Sequence, residues 1–462
     1  MNPDFKFGAL GADHVAPAIA AAMAVVAVLL FWLPRRHVTP VFLAAAILIP
    51  MDQVLTVAGA HFMMLRVLIL LGWIRLIITM LSPKARLVGH GLNPIDKAVI
   101  LYVLVKVTAF TLLWQQWPAF VNQVGFLYTN LGTYFLLRLW IRDEEDVNRT
   151  IKTLAFVALT VAILMVFEAT TGRSLYAALG GHREALLQDL QRRNEQVRAM
   201  AGFLHPILAG TFGATLVALF LGLWAQGRRY WVSAAIGSIA ATAITLTSGS
   251  STAISAFGSG VLLFCLWHWR SRMRVLRWVI VGLLVCLHLV MKAPVWALIG
   301  RIDLIGGSSG YHRYMLVDLF IRRFSDWWLL GVKTTSDWGW DMWDLSNQYV
   351  AIGEDAGLLA LIAFIAILYM SFKYLARARR RSEADKTKAL LLWALSSCLF
   401  SHCIGFFGIT YFDQTIVSFY ALLAMISTMA FSKKTVFSAS DAVRTSTIDT
   451  RAEDWVPAVS IP

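Results

Sequence analysis

Charged residues are scarce in this chain of 462 residues: Asp, Glu, Lys and Arg make up 15% of it, whereas apolar residues make up 58%. The mean hydropathy is +0.66. A water-soluble domain cannot bury so large an apolar share. The composition therefore excludes an ordinary soluble fold and indicates a polytopic membrane protein.

Acidic residues are fewer than basic ones, 27 against 41, which leaves a net charge of +14. Such an excess is also found in nucleic-acid-binding proteins. Here the basic residues gather in short loops between apolar segments, where they set membrane topology and contact anionic lipid headgroups. A dispersed positive field is not a readout surface, so we expect membrane lipids and no nucleic acid as partners.

Cysteine is also rare, and the four cysteines form no CxxC pair and have no His-rich neighbour. This pattern excludes a recognisable zinc motif and predicts inert core thiols. The N-terminus has no compact basic stretch before its first apolar run, which is of full span length. We interpret that run as a retained helix and not as a cleaved signal peptide.

Apolar windows of about twenty residues predict twelve or thirteen membrane spans and hence an all-α transmembrane helix bundle. The bundle forms a single domain over residues 1–432, and the Ser- and Thr-rich residues 433–462 form a disordered tail. The predicted spans lie near residues 14–33, 38–58, 62–82, 97–114, 119–140, 151–170, 202–224, 231–247, 252–269, 276–291, 356–375, 389–407 and 413–431.

Every second loop between these spans is basic, and the short loops between them near 59–61, 115–118, 248–251 and 408–412 contain no Lys or Arg. The positive-inside rule then predicts a cytoplasmic C-terminus and an N-terminus on the outer side. Two long loops, about 171–201 and 292–355, fall on that outer side. The larger one lies between the tenth and eleventh spans.

Arginines stand out in both outer loops: Arg198 in the first, and Arg313, Arg322 and Arg323 in the second. Guanidinium groups stay charged and donate two parallel hydrogen bonds to phosphate oxygens. An arginine from each loop at one cavity would therefore hold a phosphorylated lipid. The alternative for Arg198 is that it snorkels at the membrane interface.

Tryptophans and carboxylates of the larger loop also have two interpretations. Its tryptophans, Trp327 among them, either anchor the loop at headgroup level or stack on sugar rings. Its carboxylates are either solvated or include a general base. Charged residues within the spans are costly and either pair structurally or form an ion path; they are Asp52, Arg66, Arg75, Lys106, Arg138, Glu168 and Asp413. For Asp52 and Glu168 we expect pairing with Arg66 or Arg138.

Short motifs follow one another in a recognisable order over residues 195 to 430. They are Arg198 with Gly202 and Pro206; Gly249-Ser250-Ser251-Thr252; Arg313; Leu330-Gly331-Val332; and Ser346-Asn347-Gln348-Tyr349 with Asp355 and Gly357. With these motifs and this topology, the chain resembles the O-antigen ligase and polymerase superfamily. The family's turn arginine is Ser251 here and its histidine is Ser346. The absence of the histidine favours a polymerase over a ligase.

The resemblance implies a GT-C-like bundle that acts as an inverting, metal-independent glycosyltransferase without a cofactor. Its donor is a polyprenyl-diphosphate-linked oligosaccharide and its acceptor is a glycan on another lipid, at the outer face of the bacterial inner membrane. Chain-length regulator and export proteins are further expected partners. The expected catalytic residues are Arg198 and Arg313, with His312 or Asp355 as base. The expected substrate-binding residues are Asn347, Tyr349, Arg322, Arg323, Trp327, Ser250 and Ser251.

Three alternatives remain beside the polymerase. The first is an O-antigen ligase that transfers glycan to a lipid acceptor. The second is a flippase or transporter of lipid-linked oligosaccharide, which is favoured by the charges within the spans. The third is a non-catalytic scaffold within a polysaccharide machine.

Overall fold

Helices form most of the computed structural model, which describes residues 15–51, 53–57, 60–81, 91–178, 192–193, 196–301, 310–339, 342 and 346–431. The chain comprises two units, Met1–Ala430 and Phe431–Pro462. Apart from its first residue, the second unit lies outside the described residues, and so does the predicted disordered tail.

The helices are α1 (Pro17–Trp32), α2 (Arg35–Leu48), α3 (Met64–Leu81), α4 (Pro94–Trp114), α5 (Trp117–Trp140), α6 (Glu144–Thr171), α7 (Leu175–Ala178), α8 (Pro206–Trp224), α9 (Trp231–Thr247), α10 (Ser251–Cys265), α11 (Met273–Val290), α12 (Gly310–Arg322), α13 (Phe324–Trp327), α14 (Gln348–Arg381), α15 (Lys386–Gly405) and α16 (Thr415–Phe431). Short 3-10 turns cover Arg228–Tyr230, Leu266–Trp269 and Val295–Arg301. Two small antiparallel hairpins pair β1 (Val54–Val57) with β2 (Ala60–Met63) and β3 (Arg192–Arg193) with β4 (Gln196–Val197).

Nine helices within the described residues, some counted together with a 3-10 turn, are long and apolar enough to cross a membrane. The helices α1 and α16 are shorter apolar helices. An apolar helix satisfies all its backbone hydrogen bonds internally, which is what a bilayer requires. The prediction of an all-α, polytopic membrane fold is thus confirmed.

Two predicted boundaries were wrong. The span predicted over 38–58 ends at Leu48, and the hairpin β1–β2 follows it. Ile49, which precedes Pro50, is extended, as a residue before proline tends to be. The predicted outer loop 292–355 is helical from Gln348 onward, because the side chain of Asn347 caps α14.

The centre of the bundle is α8, which packs against α6, α9, α10 and α15. Small residues allow this close packing: a Cβ at Gly213 would lie 2.7 Å from the Cβ of Ile244 on α9. The opposite extreme is α11, which has no buried residue. Of the predicted core thiols, Cys398 is buried, whereas Cys265 and Cys286 are exposed on the outer helices.

Candidate functional site

Arg198 lies against the turn between α9 and α10. Its Nε donates a hydrogen bond to the carbonyl oxygen of Ser248 (3.2 Å), and the neighbouring Ala199 N–H donates to Thr247 O (3.0 Å). Gly249 has a φ of +54°, and a Cβ there would lie 3.2 Å from Cγ of Arg198. The side chain is 6% exposed. The structure therefore brings together two of the predicted motifs, the arginine and the turn.

The serines of that turn are buried. The Oγ of Ser250 accepts a hydrogen bond from the Ala253 N–H (3.4 Å) and caps α10. The Oγ of Ser251 has no hydrogen-bond partner among the described residues. The side chain of Thr252 packs directly against Gly408, in the turn after α15. Both predicted serines thus directly follow Ser248 and Gly249, the residues of the turn that contact Arg198.

Two buried carboxylates hold the segment that follows Arg198. Oε2 of Glu168 accepts hydrogen bonds from the backbone N–H groups of Met200 (3.0 Å) and Ala201 (2.8 Å). Oδ2 of Asp413 accepts one from the Leu204 N–H (3.2 Å). Charge-assisted bonds of this kind are stronger than neutral ones. Sequence reasoning missed this role, because it treated both carboxylates only as costly charges within spans.

Asp413 lies in the turn before α16 and is fully buried. Burial raises the pKa of its carboxyl group to about 6, although the hydrogen bonds from Thr415 and Leu204 oppose this shift. The anchor of the Arg198 segment is therefore sensitive to pH near neutrality.

The intramembrane charges pair differently from the prediction. Arg138 lies 3.6 Å from Asp96, and Arg66 donates a hydrogen bond to Oγ1 of Thr129 (3.4 Å). Asp52, which was expected to pair with one of these arginines, lies outside the described residues. Both arginines find their partners on a neighbouring helix, because helix rotation, which the sequence does not reveal, decides which side chains face each other.

The first turn of α14 is fixed to the turn after α15. Oδ1 of Asn347 accepts the N–H groups of Tyr349 (3.0 Å) and Val350 (3.2 Å), and the Gln348 N–H donates to Phe406 O (2.8 Å). The Tyr349 hydroxyl donates to Cys403 O (3.1 Å). The predicted substrate residues Asn347 and Tyr349 thus have structural partners, and Oδ1 of Asn347 serves as the helix cap.

The helix α14 is broken after Asp355. Ala356 and Gly357 have non-helical dihedral angles, with φ +76° and ψ −178° at Gly357. The predicted Leu330-Gly331-Val332 motif fills the break: the Val332 N–H donates to Glu354 O (2.7 Å), while Leu358 N–H donates to Trp328 O (2.8 Å). Backbone groups freed by a break at membrane depth need partners of this kind.

Asp355 is the last residue of α14 before the break, and it pairs with Lys106 of α4. Nζ of Lys106 lies 2.8 Å from Oδ2 of Asp355 and 4.8 Å from the ring centroid of Phe126. The Asp355 side chain is 38% exposed and that of Lys106 is 11% exposed. The preceding Glu354 is 2% exposed, and neither carboxyl oxygen has a hydrogen-bond partner in the described part of the chain. Among the described residues, Asp355 thus pairs with a lysine, and with none of the arginines predicted for the site.

The helix α12 carries Arg313, which is buried, and His312, which is half-buried. One turn further on, α12 joins an apolar cluster with the loop and α14, made of Leu316, Phe320, Trp327, Trp338, Met342 and Val350. This cluster fixes the position of Arg313 relative to the broken helix.

Trp327 belongs to that cluster and is 2% exposed. Its ring stacks on Phe320 with centroids 3.9 Å apart, and its Nε1–H donates to Phe320 O (2.7 Å). The ring thus packs in the core, and neither face is open to a sugar in this structure.

Arg322 and Arg323 form ion pairs within the larger loop. Nε of Arg322 lies 2.7 Å from Oδ2 of Asp318, and NH1 of Arg323 lies 3.5 Å from Oδ2 of Asp337 and 3.7 Å from Oδ2 of Asp326. Within the residues that the structure describes, no three His, Cys, Asp or Glu side chains form a group suited to a metal ion.

Comparison of the chain with protein-family models and with curated proteins finds no match in either. What the geometry defines is a membrane helix bundle with two arginine-bearing segments, a turn of small hydroxyl residues and a broken helix that ends in a paired carboxylate.

Proposed function

We propose that the protein is a polysaccharide polymerase, an inverting glycosyltransferase that joins polyprenyl-diphosphate-linked glycan repeat units. The observation that carries the proposal is the buried guanidinium of Arg198, which Ser248 O orients beside the turn at the end of α9. A buried, oriented arginine suits the diphosphate of a lipid-linked donor, because its fixed positive charge stabilises the negative charge that develops on the leaving diphosphate.

In the proposed reaction, a hydroxyl oxygen of the acceptor sugar forms a bond to the anomeric carbon of the donor and inverts it. The bond from that carbon to the diphosphate oxygen breaks, and its electron pair leaves with the diphosphate. Arg198 and Arg313 stabilise this negative charge. Asp355 accepts the proton of the acceptor hydroxyl, and His312 is the alternative base. The reaction needs no redox cofactor, and the proposal assigns no metal.

We also propose a membrane topology. The bundle is GT-C-like with twelve or thirteen spans in the bacterial inner membrane, and the N-terminus is periplasmic and the C-terminus cytoplasmic. The larger loop then faces the periplasm, where lipid-linked repeat units and an acceptor glycan meet. Chain-length regulator and export proteins are the protein partners that this reaction would have.

The test is to replace each arginine by alanine and assay polymer formation from purified lipid-linked repeat units. Removing one charge-stabilising donor typically costs about 10²–10³-fold in rate. We expect that loss for Arg198→Ala and for Arg313→Ala, with accumulation of single repeat units at unchanged protein level. Arg277→Ala is the matched control, since Arg277 on α11 is exposed and its Nε donates to Met273 O in the same helix. Normal polymer from both test variants would refute their roles.

A transporter of lipid-linked oligosaccharide is the second candidate, and the broken helix α14 favours it, since transporters build substrate sites at such breaks. Vesicles with repeat units in one leaflet distinguish the two functions. Longer glycan products support the polymerase, whereas reorientation without elongation supports the transporter. Transfer to a lipid acceptor without elongation would indicate a ligase.

A further inference from the structure

Lys106 is an unusual residue of α4, because it lies far from both ends of an apolar helix and its ammonium group forms an ion pair there. Trp114 ends α4 eight residues later, and Asp355 lies seven residues after the start of α14. At 1.5 Å per residue the pair is about 10–12 Å from these helix ends. The two helices pack along each other, so the pair forms between two spans at similar depth.

Stability alone does not account for the pair. Removing two charges from water costs as much as their attraction returns, and apolar replacements of buried pairs are often neutral or stabilising. This pair is also asymmetric: the Lys106 side chain is 11% exposed, whereas the Asp355 side chain is 38% exposed. The arrangement fixes the lysine and leaves the carboxylate accessible.

The hydrogen bond from Lys106 uses Oδ2 of Asp355, so Oδ1 is the oxygen left for another partner. The centroid of the Phe126 ring lies 4.8 Å from Nζ, and the ring holds the ammonium by a cation–π contact. The Lys106 ammonium is therefore held by Phe126 of α5. In turn it holds the carboxylate of Asp355, which ends the segment of α14 before the break. A base oriented by a third group is the usual arrangement for proton abstraction.

We propose that Lys106 is a positioning residue for the transferase, which holds Oδ2 of Asp355 so that Oδ1 faces the acceptor hydroxyl. This inference rests on the proposed function and deepens it, since it assigns the proton to Asp355 Oδ1. The acceptor hydroxyl gives its proton to Oδ1 of Asp355 as its oxygen bonds to the anomeric carbon, and the lysine keeps its own proton throughout. Lys106 acts through Asp355 and does not contact the substrate.

The test measures elongation kinetics with purified lipid-linked repeat units, per folded protein. We expect Lys106→Met to lower kcat by about 10–100-fold with the acceptor KM unchanged, because orientation is lost and binding is kept. Lys106→Arg keeps a charged donor and should restore kcat to within about 5-fold of wild type. Arg138→Met is the control: it breaks the contact between Arg138 and Asp96 of α4 and should leave kcat unchanged.

A second experiment separates this positioning role from a purely structural one. The double variant Lys106→Met with Asp355→Leu has no charge to bury and should fold as wild type does, without elongation. If this double variant fails to fold, or if Lys106→Met keeps wild-type kcat, the role of Lys106 is refuted although elongation by the wild type stands. If the wild type itself does not elongate the units, the proposed function is refuted and this inference with it.

Discussion

Gly357 stands at the break of α14, and we expect Gly357→Ala to destabilise the protein more than any ordinary glycine replacement. Its φ of +76° with ψ of −178° belongs to a region that residues with a Cβ hardly occupy. A Cβ would also lie 2.5 Å from Leu329 O and 3.0 Å from Leu330 N. Both atoms are backbone, so neither can turn aside.

The magnitude follows from these two terms. The strained backbone costs about 1–3 kcal/mol, and overpacking against fixed atoms adds about 1–3 kcal/mol. We therefore expect Gly357→Ala to lower the free energy of unfolding by about 2–6 kcal/mol. Loss of the break would also misplace Asp355, so elongation per folded protein should fall as well.

The assay is reversible unfolding of the purified protein in mixed micelles of lipid and SDS, followed by tryptophan fluorescence. Gly258→Ala and Gly282→Ala are matched controls, since both glycines lie within helices and nothing lies within 4 Å of a Cβ at either. Alanine favours a helix over glycine by about 1 kcal/mol, so these variants should be equal to wild type or slightly more stable. A Gly357→Ala protein as stable as the controls would refute the broken helix.

Two further predictions concern buried carboxyl groups. Burial raises the pKa of Asp413 from its ordinary value of 3.8 to about 6 in the folded protein, so its stabilising contribution is fully present below pH 3.8 and is lost as the pH rises through 6, by about 3 kcal/mol in total. The unfolding free energy of the wild type minus that of Asp413→Asn should fall by about 2.4 kcal/mol between pH 4 and 7, since part of the total is already lost at pH 4, and parallel pH profiles would contradict the shift. Glu354→Gln should keep or raise the unfolding free energy, by up to about 1 kcal/mol, because Glu354 is buried and its carboxyl oxygens lack hydrogen-bond partners among the described residues. Glu168→Gln should lower it by about 1 kcal/mol, since Glu168 accepts two backbone hydrogen bonds; equal effects of the two glutamines would contradict the contrast.

Much of the fold could be predicted because its signals are local. Apolar length predicts where a helix crosses a membrane. Asn347 and Pro50 also act only on the backbone next to them, and the two wrong boundaries arose because these local signals were overlooked. Gly331 and Gly357 likewise lie where the chain has positive φ angles. The order of the short motifs did not reveal that Arg198 contacts the turn at Gly249, which only the structure shows.

The roles of charged and aromatic side chains could not be predicted in the same way. Lys106 and Asp355 are separated by 249 residues in the chain and meet only because α4 and α14 pack together. Trp327 looked like a surface aromatic, yet it packs in the core against Phe320. Glu168, expected to pair with an arginine, accepts backbone hydrogen bonds after Arg198.

The sequence by itself determined the class of protein, the positions of most helices and the residues that interrupt them, because hydropathy, helix capping and backbone freedom act over a few residues. Only the tertiary structure decided which charges are paired, which aromatics are buried and which carboxylate stays accessible. These outcomes depend on the rotation and register of helices far apart in the chain, and a difference of one residue in either would exchange the partners.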